Sequence, residues 1–239
     1  VFAVCDGHDG VNGYGALASK MVTESIKKYF FNRSYKDIST ALTNAVVYAN
    51  FSLFELASKD PKYQGIGSTL AILIYRDGKV YYAYAGDSRI YWHRNGNLQL
   101  LTRDHHANSD VVAEAEVNIL LGKNKDIRFS VCKNPIAVQP GDLFLLCTDG
   151  LTDTVSDFEM QHLLSDQNNS AEHKSLLLLE QIKNANGKGD ASIHVIEFSQ
   201  AIENSVNKKT INRKPIIIIG SIILLLALLS YFSYRLYPD

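Results

Sequence analysis

The sequence has little cysteine, little proline and no excess of charge of either sign, and each shortage removes a class of protein. The three cysteines, Cys5, Cys132 and Cys147, are odd in number and widely spaced, so they form no disulfide framework. Cys5 and Cys147 sit in the apolar runs VFAVC and LFLLC and are expected as buried thiols, which fits a reducing compartment. Five prolines and 15 glycines without a period exclude collagen-like and mucin-like chains. Lys and Arg total 24 against 25 Asp and Glu, a net charge of −1, which speaks against a nucleic-acid partner and against a disordered tail as the whole chain. There is no internal repeat. What is present is ordinary globular usage, 46% hydrophobic and 21% charged over 239 residues, enough for one large domain or two small ones.

The apolar content is uneven. Pro215–Tyr234 (PIIIIGSIILLLALLSYFSY) is 20 residues without a charge. As a helix this run would be about 30 Å long, the thickness of a bilayer core. Lys208, Lys209, Arg213 and Lys214 precede it, Arg235 follows, and Tyr231, Tyr234 and Tyr237 lie where an interfacial belt would be. The expectation is a single-pass C-terminal transmembrane helix over 215–234, a short tail 235–239 and a polar, basic linker 200–214. The basic flank puts the preceding domain on the cytoplasmic side. At the other end, Val1 opens inside an apolar run, and the chain is read as lacking an N-terminal segment.

Between these ends the periodicity alternates between helix and strand. Val1–Cys5 is a buried strand, followed by a Gly- and Asp-rich loop over Asp6–Gly15. Ala16–Phe31 and Ile38–Ser58 carry helical spacing, the second capped by Ser39 or Thr40. Thr69–Tyr75, Lys79–Ala85 and Arg89–Arg94 read as strands joined by turns at Asp77-Gly78 and Gly86-Asp87, with Asn95-Gly96 turning into Leu98–Thr102. Asp110–Leu121 has a helical pattern and Arg128–Val138 is a weak strand region. Asp142–Thr148 is an apolar strand, Ser156–Leu164 and Ala171–Ala185 are helices, and Ile193–Phe198 is a last strand. Helices grouped around hairpin-linked strands give an α+β class with antiparallel sheets.

Three acidic residues share one context. Asp6 and Asp149 follow apolar strands, Asp190 precedes one, and each stands beside a glycine: Gly7, Gly150 and Gly189. A carboxylate at the end of a buried strand is costly unless paired or bound to a metal. Glycine lets backbone approach and frees its carbonyl as a ligand. Such a set suits Mg²⁺ or Mn²⁺, but Asp-Gly is also the commonest turn dipeptide, and spacing alone leaves both readings open.

Six segments in order carry a resemblance. VFAVCDGHDG (1–10) resembles FxxVxDGHGG, GSTL (67–70) resembles GSTA, and AGDSR (85–89) and LTRDH (101–105) match the next two motifs. GDLFLLCTDGLTD (141–153) resembles gDxFLLxSDGLxD, and GDASI (189–193) stands at a DNIT-like element. Together they resemble the metal-dependent (type 2C) serine/threonine protein phosphatases over residues 1–199. The resemblance implies two packed antiparallel β-sheets flanked by helices, an α/β/β/α sandwich. It implies hydrolysis of phosphoserine and phosphothreonine with two Mg²⁺ or Mn²⁺ ions and a third, weaker site. Asp6 would bridge the two ions, Gly7 would offer its carbonyl, Asp149 and Asp190 would complete the set, and Asp87 would serve the third ion. His8 would protonate the leaving alcohol. The absence of a Cys-x5-Arg loop agrees with water as the nucleophile.

The partners implied are phosphoprotein substrates and, through the C-terminal helix, a membrane, with the protein a monomer. The alternative is a catalytically inactive phosphatase-like domain that binds phosphoproteins. The family's phosphate-gripping arginine and one acidic residue belong to the segment read as missing. Asp9 replaces the second glycine of DGHGG, as an extra carboxylate near the metals or one pointing to solvent, and Ala191 replaces the asparagine after the last aspartate. His105-His106 reads as surface or supporting residues rather than a zinc site, and Trp92 with the tyrosines of 75–91 as sheet packing.

Overall fold

The computed structural model describes residues 1–31, 33–105, 119–185, 190–199 and, for the backbone alone, 216–222. Strand β1 (Phe2–Val4) and the short β2 (Gly7–His8) lead into helices α1 (Gly15–Phe30) and α2 (Ile38–Lys59), then a 3-10 turn (Pro61–Tyr63). Next come β3 (Gly67–Ser68), β4 (Leu70–Arg76), β5 (Lys79–Ala85), β6 (Arg89–Arg94), β7 (Asn97–Leu100), β8 (Ser130–Val131) and β9 (Ile136–Ala137). After β10 (Asp142–Cys147) follow α3 (Asp149–Thr152), α4 (Asp157–Ser165), α5 (Ala171–Asn184), β11 (Ile193–Ser199) and β12 (Ile216–Ile222). Two five-stranded antiparallel sheets result, β1-β4-β5-β8 with β9 also on β5, and β12-β11-β10-β6-β7, beside a two-stranded ribbon of β2 and β3.

Alternation along the strands builds the layers. In β4, Leu70, Ile72 and Ile74 face α1 and α2 beside Val22, Leu42 and Leu53, while Ala71 and Leu73 face the second sheet. In β10, Leu143, Leu145 and Cys147 pack under α3–α5, while Phe144 and Leu146 meet Val4, Ala71 and Leu73 across the sandwich. Strands covered on both faces need apolar residues at every position, which is why these runs do not alternate with polar residues. The observed order is helices, sheet, sheet, helices, as the sequence resemblance implied.

The turns have the chemistry their sequences suggest. Asp77-Gly78 and Asn95-Gly96 hold positive φ at both positions (49° and 77°; 52° and 78°), the twist that suits a two-residue hairpin. Three expectations change. Helix α2 is capped two or three residues earlier, by Asp37, whose carboxylate accepts from the Ser39 N–H at 3.0 Å; a carboxylate reaches that orphan donor as a hydroxyl does. Leu121 ends no helix: it bridges Ser68, while residues 106–118 of that stretch lie outside the described residues. Ile216–Ile222 runs as a strand antiparallel to β11, not as the first turns of a helix. Consecutive β-branched isoleucines favour extended backbone, and the outer edge of β11 offers unpaired donors and acceptors. The linker 200–214 and residues 223–239 lie outside the described residues, and no helix among the described residues is long and apolar enough to cross a membrane.

Candidate metal centre

Strand register brings the acidic loops together. Val4, at the end of β1, pairs with Ala71, and Ala85, at the end of β5, pairs with Leu70. Arg89 opens β6 opposite Cys147, and Ile193 opens β11 opposite the same residue. The residues just beyond these ends, Asp6, Asp87, Asp149 and Asp190, therefore all fall at one end of the sandwich. There a cavity of about 450 Å³ opens. Its lining includes Asp6, Gly7, Asp9, Asp149, Asp153 and Asp190, and, among the described residues, no lysine or arginine.

Each loop is tied to its neighbour by a hydroxyl. The Asp6 N–H donates to Thr69 Oγ1 at 2.8 Å, and the Thr69 N–H returns to the Asp6 carbonyl at 2.9 Å. Thr69 Oγ1 also meets Ser88 Oγ at 2.6 Å, linking the Asp6 loop to the residue after Asp87. On the other sheet, the Ser192 N–H donates to Thr148 Oγ1 at 3.0 Å and the Thr148 N–H to the Ser192 carbonyl at 3.1 Å. This pair joins the loops of Asp149 and Asp190. Two glycines allow the approach. A Cβ on Gly7 would strike the Gly15 carbonyl, and one on Gly150 would strike the Asp190 carbonyl.

The electrostatics are one-sided. Burial, then the Asp149 carboxylate, push the Asp6 carboxyl up to about 6. Burial, then Asp149, also raise that of Asp87, with Asp104 and Asp153 adding to the effect. A carboxyl raised by burial and by a neighbouring carboxylate, in a cavity lined by no basic side chain among the described residues, is what a divalent cation would relieve. Among the described residues no three His, Cys, Asp or Glu side chains converge tightly enough to cage an ion alone. Magnesium and manganese keep several waters and take carbonyls, so the donor set of Asp6, Gly7, Asp149 and Asp190 fits them.

The structure gathers the four residues singled out from the sequence, Asp6, Gly7, Asp149 and Asp190, in the lining of one cavity. Asp87 does not line the cavity but is electrostatically joined to it. His8 is exposed on β2 opposite Gly67 and also lies outside the lining. Asp9 both lines the cavity and accepts from the Gly15 N–H at 2.9 Å, so the extra carboxylate holds the start of α1. Sequence reasoning missed Asp153, although it lies four residues after Asp149, one helical turn along the same motif. It also missed Thr69 and Ser88 as struts. Between AGDSR and LTRDH, Arg89 forks Asp104 at 2.6–3.2 Å, and His105 Nδ1 accepts from the Gly86 N–H at 3.3 Å. His105 is thus a supporting residue; His106 lies outside the described residues.

The family model of protein phosphatase 2C matches residues 1–184. The chain belongs to the protein phosphatase 2C family. It is 25% identical over 207 residues to the serine/threonine phosphatase Stp of Listeria welshimeri, covering 79% of this chain and 82% of that protein. It is 27% identical over 162 residues to the serine/threonine protein phosphatase PstP of Mycobacterium tuberculosis, covering 62% of this chain and 32% of that one. A crystal structure of the PstP catalytic domain in complex with two manganese ions shares the fold, with TM-score 0.69 and 24% identity over 81% of this chain and 85% of that one. The matched region holds five of the six motifs, GDASI (189–193) lying beyond it, and the register above explains why segments so far apart in sequence meet.

Proposed function

We propose that this chain is a protein serine/threonine phosphatase that uses two Mg²⁺ or Mn²⁺ ions. The observation that carries this reading is the cavity lined by Asp6, Asp149 and Asp190, with no Lys or Arg among the described residues of its lining. Asp6, the Gly7 carbonyl, Asp149 and Asp190 would hold the ions, and Asp87 would serve a third. When bound, such ions supply an activated water and neutralise phosphoryl oxygens. The protein's part is to fix its carboxylates in place before the substrate arrives, through Thr69, Ser88 and Thr148. His8 would give a proton to the departing serine or threonine oxygen as the ester P–O bond breaks and a new P–O bond to water forms. The test is hydrolysis of a phosphothreonine peptide with Mn²⁺, with EDTA, and by Asp149→Asn. Activity lost in both controls supports the reading; folded, Mn²⁺-loaded and inactive protein would instead point to a phosphoprotein-binding domain.

We further infer a membrane location, with the catalytic domain cytoplasmic. What supports it is the charge-free run 215–234 behind Lys208, Lys209, Arg213 and Lys214. Pairing of 216–222 with β11 and insertion of the same residues in a bilayer exclude one another, so insertion requires release of that sheet edge. Flotation of the full chain with liposomes tests this: material that stays at the bottom of the gradient refutes it.

A further inference from the structure

Lys123, two residues after the Leu121 bridge to Ser68, reaches the proposed proton donor. Its base is rigid. Leu121 and Ser68 exchange backbone hydrogen bonds at 2.8 and 3.0 Å. The buried Asn50 of α2 accepts from the Gly122 N–H at 2.8 Å and donates to the carbonyls of Asn124 and Lys125 at 3.0 and 2.9 Å. A polar side chain inside an apolar helix face is retained here because it meets its donors and acceptors on this one segment. The Lys123 stem then crosses Gly67, where a Cβ would lie only 3.1 Å from its Cε. The Lys123 ammonium donates to the Gly65 carbonyl. Gly67 is the strand partner of His8, so the same ammonium reaches His8 Nδ1 at 3.3 Å.

The Gly10 N–H meets the same nitrogen at 3.2 Å. A backbone N–H and an ammonium can only donate, so Nδ1 must accept and the ring hydrogen must sit on Nε2. We propose that Lys123 is a positioning residue for His8, holding its ring as the Nε2–H tautomer that donates to the leaving alcohol. This rests on the reading of His8 as proton donor. The proton count closes. As Nε2–H passes to the ester oxygen, Nδ1 takes a proton along the existing hydrogen bond from the ammonium. The ring stays neutral and the alcohol departs neutral; the Nδ1 proton then returns to the Lys123 amine and Nε2 takes a proton from solvent, which restores the starting tautomer.

The test compares leaving groups in the full, Mn²⁺-loaded protein. An alkyl ester such as a phosphothreonine peptide needs the proton; an aryl phosphate with an acidic phenol needs it far less. Lys123→Met keeps the stem over Gly67 and removes the donor. The expected result is a kcat about 10-fold lower on the peptide, with KM unchanged and aryl phosphate turnover within about 2-fold. ¹⁵N NMR of the His8 ring, assigned by comparison with His8→Ala, should show loss of the single Nε2–H form in Lys123→Met. Equal losses on both substrates, full peptide turnover, or an unchanged tautomer would overturn the inference. His8→Ala separates the two ideas: if it spares the peptide and aryl reactions alike, the donor reading of His8 falls, and the role of Lys123 with it. If it is selective while Lys123→Met is not, only the role of Lys123 falls.

Discussion

Strand β10 carries a carboxylate at each end, and the two have opposite surroundings. Asp142 opens the strand, is 1% exposed, and is gripped by Arg94 through two bonds of 2.6 Å, with the Gln139 N–H adding a third at 2.8 Å. Asp149 lies just past the other end, in a cavity with Asp6, Asp153 and Asp190 and, among the described residues, no basic side chain. One charge is neutralised within the chain. The other is left for a ligand to neutralise. A buried acid with its own cation is part of the fold, whereas an acid such as Asp6, its proton affinity raised by burial and by the neighbouring Asp149, marks a place that an ion can complete.

The sharpest way to break this contrast is to neutralise each acid in turn. Asp149→Asn should lower phosphopeptide turnover by on the order of 100-fold or more. It should also remove heat-detected Mn²⁺ binding, yet leave the metal-free melting temperature equal or higher, because repulsion with Asp6 is relieved. Asp142→Asn should do the reverse. It leaves the Arg94 guanidinium without its anion and should cost up to roughly 3 kcal/mol of stability, with turnover per folded molecule unchanged. Calorimetry and denaturant unfolding on both variants check the pair. Loss of activity in Asp142→Asn at full folding would show that the two ends are coupled.

A smaller effect separates the two hydroxyl struts. Thr69 Oγ1 serves both the Asp6 N–H and Ser88, while Thr148 Oγ1 serves the Ser192 N–H. Thr69→Val strands two buried partners and should weaken Mn²⁺ affinity by about 10–100-fold, as loss of a group supporting a ligand does. Thr148→Val strands one partner beside the exposed Asp190 and should cost less. A Mn²⁺ titration of the two variants orders them, and equal losses would remove the distinction between the loops.

Much of this was legible in the sequence because it rests on local rules. Doubly buried strands such as Leu70–Ile74 and Leu143–Cys147 advertise themselves by unbroken apolar runs, and Asp77-Gly78 and Asn95-Gly96 by their turn chemistry. Asp6, Asp149 and Asp190 were visible because a charge at the end of such a run is out of place. Thr69, Ser88 and Lys123 were not. A hydroxyl in a strand looks like ordinary β-propensity, and a lysine in a loop looks like solvent exposure. Only register, which sets Gly67 opposite His8 and Ala85 opposite Leu70, reveals what they touch. The run from Pro215 shows the opposite limit. Its composition fits a bilayer helix and a sheet edge alike, and Ile216–Ile222 takes the edge.

The smallest effect is in the pH dependence of the metal-free protein. Asp6 has its carboxyl raised from 3.8 to about 6 by burial and by Asp149. The folded state therefore binds this proton more tightly than the unfolded chain does. The contribution to stability is fully present below the unfolded value and is lost as pH rises from about 4 to about 6, the reverse of an acid paired with a base. With EDTA present, the melting temperature should fall across that window and then level off. Asp6→Asn should flatten that part of the curve. Mn²⁺ should reverse its sign, since ions bind the ionised form and then compete with protons for it. A metal-free curve that rises through this window would mean that the cavity acids are already compensated within the chain.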